Sequence, residues 1–536
     1  MEWEKEGLKV RLLGYWPRYE NKNSALKFNL GDFLGADAIV SFLQKAVSQS
    51  VSFSEGLETE VRRTFEKGEL EDAIKKKLAS SVLRGHSLDG TAGIVLGIEG
   101  SKFIDSALTG LVNSRSFTTS GRRALIEDIL VPNVLEKPGN EMLKERYIET
   151  SHKSLQTYKK IFEAFGEKQG PQIASKMMAY NSSGNLYIVL PVSAIITLSN
   201  ELEHQKNEGE TFFPREIENL VDIIEKEIVK EAGMKRIYDA RKAALRDTYL
   251  HWNVFKAPKI NFANMAANAF YYPKDPKIIY CHISDNSLKG HIQNLKNKLE
   301  STYSLKDPEK IERAARENLL VFHEMVDMYN DAVSVQTISS LSFRVWGEQK
   351  RHATLKQCVE SVYLAAERAY NVTSLAVSNA ESLKRQLEQV IMIPPPLKQQ
   401  GQEELLKEYL KASAEQIMLM RYLTENGIER KDAIYILPRC IRLRTVETYD
   451  LYNLTLGELS LRLCTTCEPE RLATSEIKEG LIKEKLPELS PIIGPKCILG
   501  YCSEPTHCSK ILKFNPDYSK EIHQEIRNIL MHKANL

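Results

Sequence analysis

The chain has 536 residues with 42% hydrophobic and 27% charged content, a globular composition too long for one ordinary core, so two or more domains are expected. Lys+Arg 73 against Asp+Glu 71 leaves a formal net charge of +2, which excludes a global pull toward nucleic acid or anionic membrane and makes any basic site local. No apolar run approaches the ~20 residues of a membrane span, and the N-terminus MEWEKEGLKV lacks an apolar signal core, which points to a cytoplasmic protein.

LKVRLLGYW (8–16) reads as a strand, a short branched and apolar run followed by turn formers. Helical periodicity follows at 32–47 and 55–84. GHSLDGTAGIVLGIEGSKF then reads as a glycine-rich strand, and LVNSRSFTTSGRR as a basic, hydroxyl-rich loop. An amphipathic helix is predicted over 147–165. NLYIVLPVSAIITL is apolar and broken by Pro191, and a charged helix over 214–246 closes the first half. The second half shows a similar order. His323 is followed by strand-like sequence and a basic loop, helical sequence spans 358–390, PPP at 394–396 interrupts it, and a helix over 403–424 precedes DAIYILPRCIRLRTVETYDLYNLTLGELSLRLC. Pairing Leu190-Pro191 with Leu437-Pro438 makes an internal duplication the natural reading, with a join near 252–260.

Lys350, Arg351, His352 and Thr354 of VWGEQKRHATLKQCVESVY stand before a helix expected from Leu355, an arrangement suited to an anion because basic side chains and helix N–H groups then converge. The same residues also suit a solvated cap, with Thr354 as N-cap and Gln357 closing a capping box. Arg115, Ser116, Thr118, Thr119, Ser120, Arg122 and Arg123 form either a second phosphate-seeking loop or a surface turn. Arg442 and Arg444 lie at strand spacing and share a face. With Arg462 they would surround an anion, or else pair with Glu447, Asp450 and Glu458. Cys358 and Cys440 sit in apolar periodic runs and read as core. Cys464, Cys467, Cys497, Cys502 and Cys508 form C-x2-C, then C-x4-C-x5-C beside His507. Cys497, Cys502 and Cys508 with Cys464 or Cys467 would make a structural tetrahedral zinc site; local disulfides are the rival.

GHSLDGTAGIVLGIEGSKF with LVNSRSFTTSGRR, and FRVWGEQKRHATLKQCVESVY with the later L-R of LSLRLC, resemble the flavin-dependent thymidylate synthase family. Its signature is a His-bearing segment, a strand, a basic triplet and an S-x-R ending. The resemblance implies an α/β (α+β) fold of two tandem domains, 1–250 and 251–536, each a mostly antiparallel sheet flanked by long helices, the second carrying the cysteine-rich tail 464–508. It implies flavin contacts from His86, Arg115, His323, Lys350, Arg351, His352 and Thr354. Ser120 and Arg122, which match S-x-R, with Arg442, Arg444 and Arg462, would bind the nucleotide, Arg462 polarising the uracil ring as the catalytic group. Asn113, Ser114, Ala353 and Tyr363 depart from the pattern. The implied reaction is reductive methylation of dUMP to dTMP with methylenetetrahydrofolate and NADPH through FAD. Two chains would form a homodimer with the four family units of a pseudo-tetramer. The alternative is a catalytically degenerate homologue that binds a nucleotide, a flavin or a protein partner.

Overall fold

The computed structural model describes residues 1–17, 35–37, 39–41, 63, 66–81, 91–108, 114–118, 128–207, 213–244, 254–255, 276–350, 354–376 and 380–534. They divide into two compact units, unit 1 comprising 1–256, 373–375 and 400–439 and unit 2 comprising 257–372, 376–399 and 440–536. The break near 256 lies close to the expected 250/251 join, but the segment 400–439 groups with unit 1.

Unit 1 contains a five-stranded antiparallel sheet of β1 (Glu2–Lys5), β2 (Leu8–Trp16), β3 (Gly93–Ser101), β4 (Arg115–Thr118) and β5 (Ser183–Pro191), ordered β1-β2-β3-β5-β4. β2 covers the predicted strand, and its alternation follows from the two-residue period: Leu8 and Val10 are buried while Lys9 and Arg11 face out. Among the described residues its α-helices of five residues or more before residue 256 are α1 (Leu70–Ser81), α2 (Lys102–Leu108), α3 (Glu141–Ala174), α4 (Val192–Asn207), α5 (Arg215–Ile223) and α6 (Lys235–Ala243). The helix predicted over 147–165 lies inside α3, which breaks at Gly166, where φ is +66°, a backbone state open to glycine.

Unit 2 holds a four-stranded antiparallel sheet of β6 (Lys277–Ile283), β7 (Val333–Ser342), β8 (Lys356–Val359) and β9 (Arg442–Tyr449), ordered β6-β7-β9-β8. In chain order the remaining helices are α7 (Leu288–Tyr303), α8 (Pro308–Tyr329), α9 (Phe343–Gln349), α10 (Val362–Ala376), α11 (Ala380–Leu387), α12 (Glu403–Glu425), α13 (Leu451–Thr455), α14 (Glu458–Arg462), α15 (Pro469–Lys485) and α16 (Lys520–Lys533). Of these, α12 packs on α3 within unit 1. Its apolar stripe, Leu406, Leu410, Ile417 and Met420 at four-, seven- and three-residue steps, is buried. The Arg146 guanidinium lies 4.2 Å from the centre of the Tyr422 ring and Lys160 pairs with Glu408 at 2.8 Å, so the two helices run antiparallel.

With β1 set aside, the two sheets have the same strand order. Each central strand ends in a serine that caps the next helix and is held by a buried glutamate at the second position of a later helix. In unit 1 the Ser101 N–H donates to Glu216 Oε1 at 2.8 Å and its hydroxyl to Glu216 Oε2, while Ser101 Oγ accepts from Phe103 N–H at 3.2 Å. In unit 2 the Ser342 N–H and hydroxyl donate to the two oxygens of Glu470 at 2.6 and 2.7 Å, and Ser342 Oγ accepts from Val345 N–H at 3.3 Å. A second recurrence precedes the long helices. PNVLEKPGNE and PPPLKQQGQE each form a 3-10 turn burying Leu135 or Leu397, and the Gly139 or Gly401 N–H bonds to Glu141 or Glu403.

These registers correct one sequence correspondence. Pro191 ends β5, whereas Leu437-Pro438 lies in the turn before β9 and matches Met178-Ala179, which occupies the same place before β5. Two apolar stretches ending in Leu-Pro look alike by composition, but one is a paired strand and the other a turn.

In unit 1 the Asp37 carboxylate accepts from the N–H groups of Arg236 at 2.9 Å and Ile237 at 2.8 Å, satisfying first-turn donors of α6. Burial nevertheless pushes Asp37 up to about 6. A folded-state pKa raised above the unfolded value gives stability that is full below about 3.9 and is lost as pH rises through about 6. Relative to Asp37→Asn, the wild-type chain is therefore expected to gain up to about 3 kcal/mol of unfolding free energy between pH 7 and pH 4. Urea titrations of the two proteins across that range check this; parallel pH profiles would refute it.

Candidate functional site

Lys350, the first residue of the basic segment after β7, does not precede a helix; it ends one. Ser342 caps α9, and Lys350 is its C-cap, buried, with Nζ 4.8 Å from the centre of the Trp346 ring. A helix C-terminus favours a cation, not an anion. The chain then enters β8, whose Gln357 and Cys358 pair with Glu447 and Val446 of β9. The helix expected from Leu355 is therefore a strand, because cross-strand pairing and burial of Val359 outweigh local helical periodicity. Neither the helix-N-terminal cradle nor the Thr354–Gln357 capping box forms: Thr354 Oγ1 bonds Asn453 Oδ1 at 3.1 Å and Gln357 is buried. The next helix, α10, starts after Ser361, whose Oγ accepts from Tyr363 N–H at 3.3 Å.

The other candidate residues scatter. His323 is exposed on α8, the helix that leads into β7, and lines a cavity bounded by cysteines. Arg115 is exposed on β4, its Nη1 donating to its neighbour Ser114 O at 3.3 Å. His86, Ser120, Arg122, Arg351 and His352 lie outside the described residues.

Arg442 and Arg444 do share a face of β9, as their spacing requires. Arg442 donates from Nε to Ile391 O at 3.0 Å and from Nη1 to Ser340 Oγ at 3.2 Å. Arg444 reaches Glu360, with N–H to Oε2 at 3.2 Å and Nη1 to Oε1 at 4.0 Å. The nearly buried Glu360 carboxylate also takes Arg368, Nη2 to Oε2 at 2.8 Å, and Arg368 Nη2 donates to Arg442 O at 2.8 Å. Burial, then the Arg368 charge, lowers the pKa of Arg444. Two guanidinium groups, Arg368 and Arg444, thus share one carboxylate, each about one-fifth exposed, with Arg442 on the same face of β9. Like charges held together at a partly open surface suit an oxyanion.

Arg462 does not join them. Glu447 and Tyr449, two and four residues on from Thr445, occupy the alternate face of β9 and are buried in an ionic cluster. Lys478 Nζ and Tyr449 Oη both donate to Glu447 Oε2, the latter at 2.7 Å; Arg471 Nη2 lies 3.6 Å from Glu447 Oε1 and 3.1 Å from Glu458 Oε1. Glu458 in turn holds Arg462, Nε to Oε1 at 2.7 Å, and Arg462 Nη2 donates to Glu348 O at 3.1 Å. Burial raises the pKa of Glu447, but Lys478 and Arg471 outweigh it and keep the carboxyl below its usual range. Burial pushes Lys478 down to about 8 against the pull of Glu447. The expected convergence of Arg442, Arg444 and Arg462 is therefore replaced by two clusters on opposite faces. Of the ion pairs weighed from sequence, Arg462–Glu458 forms.

Matching the sheets through their serine–glutamate clamps shows what unit 1 carries at these positions. Ser183 and Asn185 stand where unit 2 has Arg442 and Arg444. Buried Ile188, Ile217 and Ile224 stand where it has Glu447, Arg471 and Lys478. Sequence reasoning missed Glu360, Arg368 and the ionic cluster. One signal was available: Glu447 and Tyr449 occupy the apolar phase of RLRTVETY, and Arg471 and Lys478 are seven apart on one face of α15.

The five clustered thiols separate. Cys464, Cys497, Cys502 and Cys508 line one cavity of about 290 Å³, while Cys467 hydrogen-bonds with Arg462. Among the described residues no three His, Cys, Asp or Glu side chains stand close enough to hold an ion. Cys440 is buried as expected and Cys358 half-buried, its thiol pushed up to about 12 by burial.

Residues 309–488 match a family model described as "Thymidylate synthase complementing protein". The chain is 37% identical over 125 residues to the flavin-dependent thymidylate synthase of Pyrococcus abyssi, covering 22% of this chain and 49% of that protein. It is 36% identical over 125 residues to the enzyme of that name from Pyrococcus horikoshii, covering 22% and 49%. With that from Thermococcus onnurineus it shares 31% over 165 residues, 28% of this chain and 66% of that protein. The chain thus spans about half the length of the first two of these curated relatives.

Because isoleucines fill the matching core positions of unit 1, the buried charges of unit 2 are replaceable together but not singly. Lys478→Ile alone, which leaves Glu447 short of a partner, is expected to cost about 3–5 kcal/mol. The combined Glu447→Ile, Tyr449→Leu, Arg471→Ile and Lys478→Ile variant, which keeps the Glu458–Arg462 pair, should lie within about 1.5 kcal/mol of wild type. Urea unfolding monitored by circular dichroism distinguishes them; an equal loss in both would show that the ionic cluster is required as such.

Proposed function

From the match of residues 309–488 to the thymidylate synthase complementing protein model and the likeness to archaeal flavin-dependent thymidylate synthases, we propose that this chain acts in thymidylate synthesis, with unit 2 carrying the nucleotide site. The substrate is dUMP, converted to dTMP by reductive methylation with methylenetetrahydrofolate as carbon donor, NADPH as reductant and FAD between them. The observation that carries this reading is the sharing of the single Glu360 carboxylate by Arg368 and Arg444, with Arg442 on the same face of β9, inside the matched region. Their role is to hold the nucleotide phosphate, with Arg442 and Arg444 fixed in register by β9. Ser183 and Asn185 at the matching places of unit 1 make that unit the one that has lost the phosphate contacts. We read the recurrent strand order and clamps as duplication of one ancestral unit, so that two chains would provide four such units.

Flavin supplies the redox chemistry where it is bound. The described members of its expected contact set in unit 2 do not form a cradle: Lys350 is stacked on Trp346, Thr354 bonds Asn453 and His323 faces the cysteine-lined cavity. No step is therefore derived through it. This engagement of Lys350 and Thr354, with that of Arg462 by Glu458, favours a second reading in which the chain binds a nucleotide or partner without turnover.

Two measurements separate the readings. Purified protein with flavin absorbance and dUMP-dependent NADPH oxidation supports the enzyme; dUMP binding without either supports the homologue that lacks turnover. In both, Arg442→Gln and Arg444→Gln are each expected to weaken dUMP roughly 10- to 100-fold in calorimetric titration, the loss of one charge-assisted contact. Ser183→Ala with Asn185→Ala should leave the affinity unchanged. Unaltered binding in both arginine variants would place the phosphate elsewhere.

A further inference from the structure

The cysteine-lined cavity belongs to a part of unit 2 that the nucleotide reading does not use. Between α15 and α16 the chain has no strand and only three 3-10 turns, Pro487–Ile492, Lys496–Leu499 and Ile511–Lys513. One of the buried clusters under this segment consists of Ile311, Cys497, Cys502, Ile511, Tyr518 and Ile526. Six side chains, two of them thiols, are a small core, and segments of that kind are commonly held by a metal or a cross-link. Three separate stretches bring sulfur to the same cavity: Cys464 after α14, Cys497 and Cys502 around a tight reversal, and Cys508 beyond it. The reversal depends on Gly500, whose φ is +100° and whose N–H bonds Cys497 O at 3.0 Å.

Donors already address two of these sulfurs. The Thr466 hydroxyl bonds Cys464 Sγ at 3.2 Å, and the backbone N–H of Glu504 is directed at the Cys502 sulfur. Hydroxyl and amide donors of this kind stabilise sulfur carrying negative charge. Lys496 and Lys510 also line the cavity, and Lys510 Nζ donates to Leu463 O at 2.7 Å beside Cys464. The turn in which Cys467 N–H bonds Cys464 O at 3.0 Å sends the two cysteines of CTTC in different directions, so Cys467 lies with Arg462 instead.

We propose that Cys464, Cys497, Cys502 and Cys508 bind one soft d10 cation of the zinc type as a structural tetrathiolate, and that Cys467 is excluded from the ligand set. The four sulfurs are not gathered to coordination distance, so binding requires the thiol side chains to turn into the cavity that all four line. Each thiol gives up its proton on binding, four protons leaving for one divalent cation, and no electron is transferred. The product carries two negative charges beside Lys496 and Lys510, which also pair with Glu504 at 3.8 Å and Glu476 at 2.7 Å. Four sulfur ligands leave no open coordination position, so the ion would hold the segment rather than take part in a reaction. The inference is independent of the nucleotide reading.

Metal analysis of the purified full chain should find about one zinc per chain. Cobalt(II) in its place should give thiolate charge-transfer absorption and tetrahedral d–d bands. Cys464→Ser and Cys508→Ser should each lower retained zinc by more than the roughly 10- to 100-fold that loss of an outer partner brings, whereas Cys467→Ser should retain it. Should the serine variants fail to fold, X-ray absorption on the wild-type zinc protein decides by the number of sulfur neighbours. The proposal is overturned if the full chain binds no zinc, if Cys467→Ser loses the metal as Cys464→Ser does, or if intact mass shows the thiols joined as disulfides.

Discussion

A buried glutamate gripping the serine at the end of a central strand is the interaction on which each unit rests. Its two oxygens take both the N–H and the hydroxyl of Ser101 or Ser342, while the same hydroxyl oxygen caps the helix that follows. Three things are thereby tied together: the end of the strand, the start of the next helix and the first turn of a helix more than a hundred residues later. A carboxylate buried without such donors would be costly. Burial pushes Glu216 above the usual carboxyl range despite its bonds. Since the clamp fixes where α5 and α15 start against their sheets, it also decides which residues of those helices face inward.

Downstream of that constraint the two units use different core chemistry at equivalent places. Isoleucines in unit 1 replace the Glu447, Arg471 and Lys478 of unit 2. Apolar packing needs no partner, whereas each charge in unit 2 needs its neighbour, which makes the ionic version a network and not a sum of pairs. The network ends at Arg462, the residue with the lowest burial in the series at 12% side-chain exposure. A core of this kind supplies orientation: Glu458 is held by Arg471 and itself holds Arg462, so that guanidinium cannot drift.

Much of the fold was legible because it depends on local period. The alternation of LKVRLLGYW marks β2, and three- and four-residue spacing marks α3 and α12. What failed was whatever depends on a distant partner. The helix expected from Leu355 gives way to β8, Lys356–Val359, because β9 offers a strand to pair with almost ninety residues later. Leu-Pro in two apolar runs suggested a correspondence that only strand register could correct. Arg442 and Arg444 were found by strand spacing, but Glu360 and Arg368 were not, because nothing local distinguishes them from a helix cap and a surface arginine.

The face of β9 that carries Arg442 and Arg444 differs in kind from the face that carries Glu447. Behind the strand every charge answers another at close range and the side chains are buried. In front, the guanidiniums of Arg368 and Arg444 remain about one-fifth open, and the carboxylate they share is the nearly buried Glu360. Coulomb repulsion between Arg368 and Arg444 is moderated by water where they are exposed, and an anion arriving there would replace that water with direct charge-assisted bonds. Unit 1 has serine and asparagine in those places and keeps an open sheet surface lined by Lys9, Arg11, Glu99 and Tyr187. The clamp is common to both units, so the same scaffold supports a polar surface in one and a guanidinium cluster in the other. That difference makes the front of β9, and not the fold itself, the place to look for phosphate recognition.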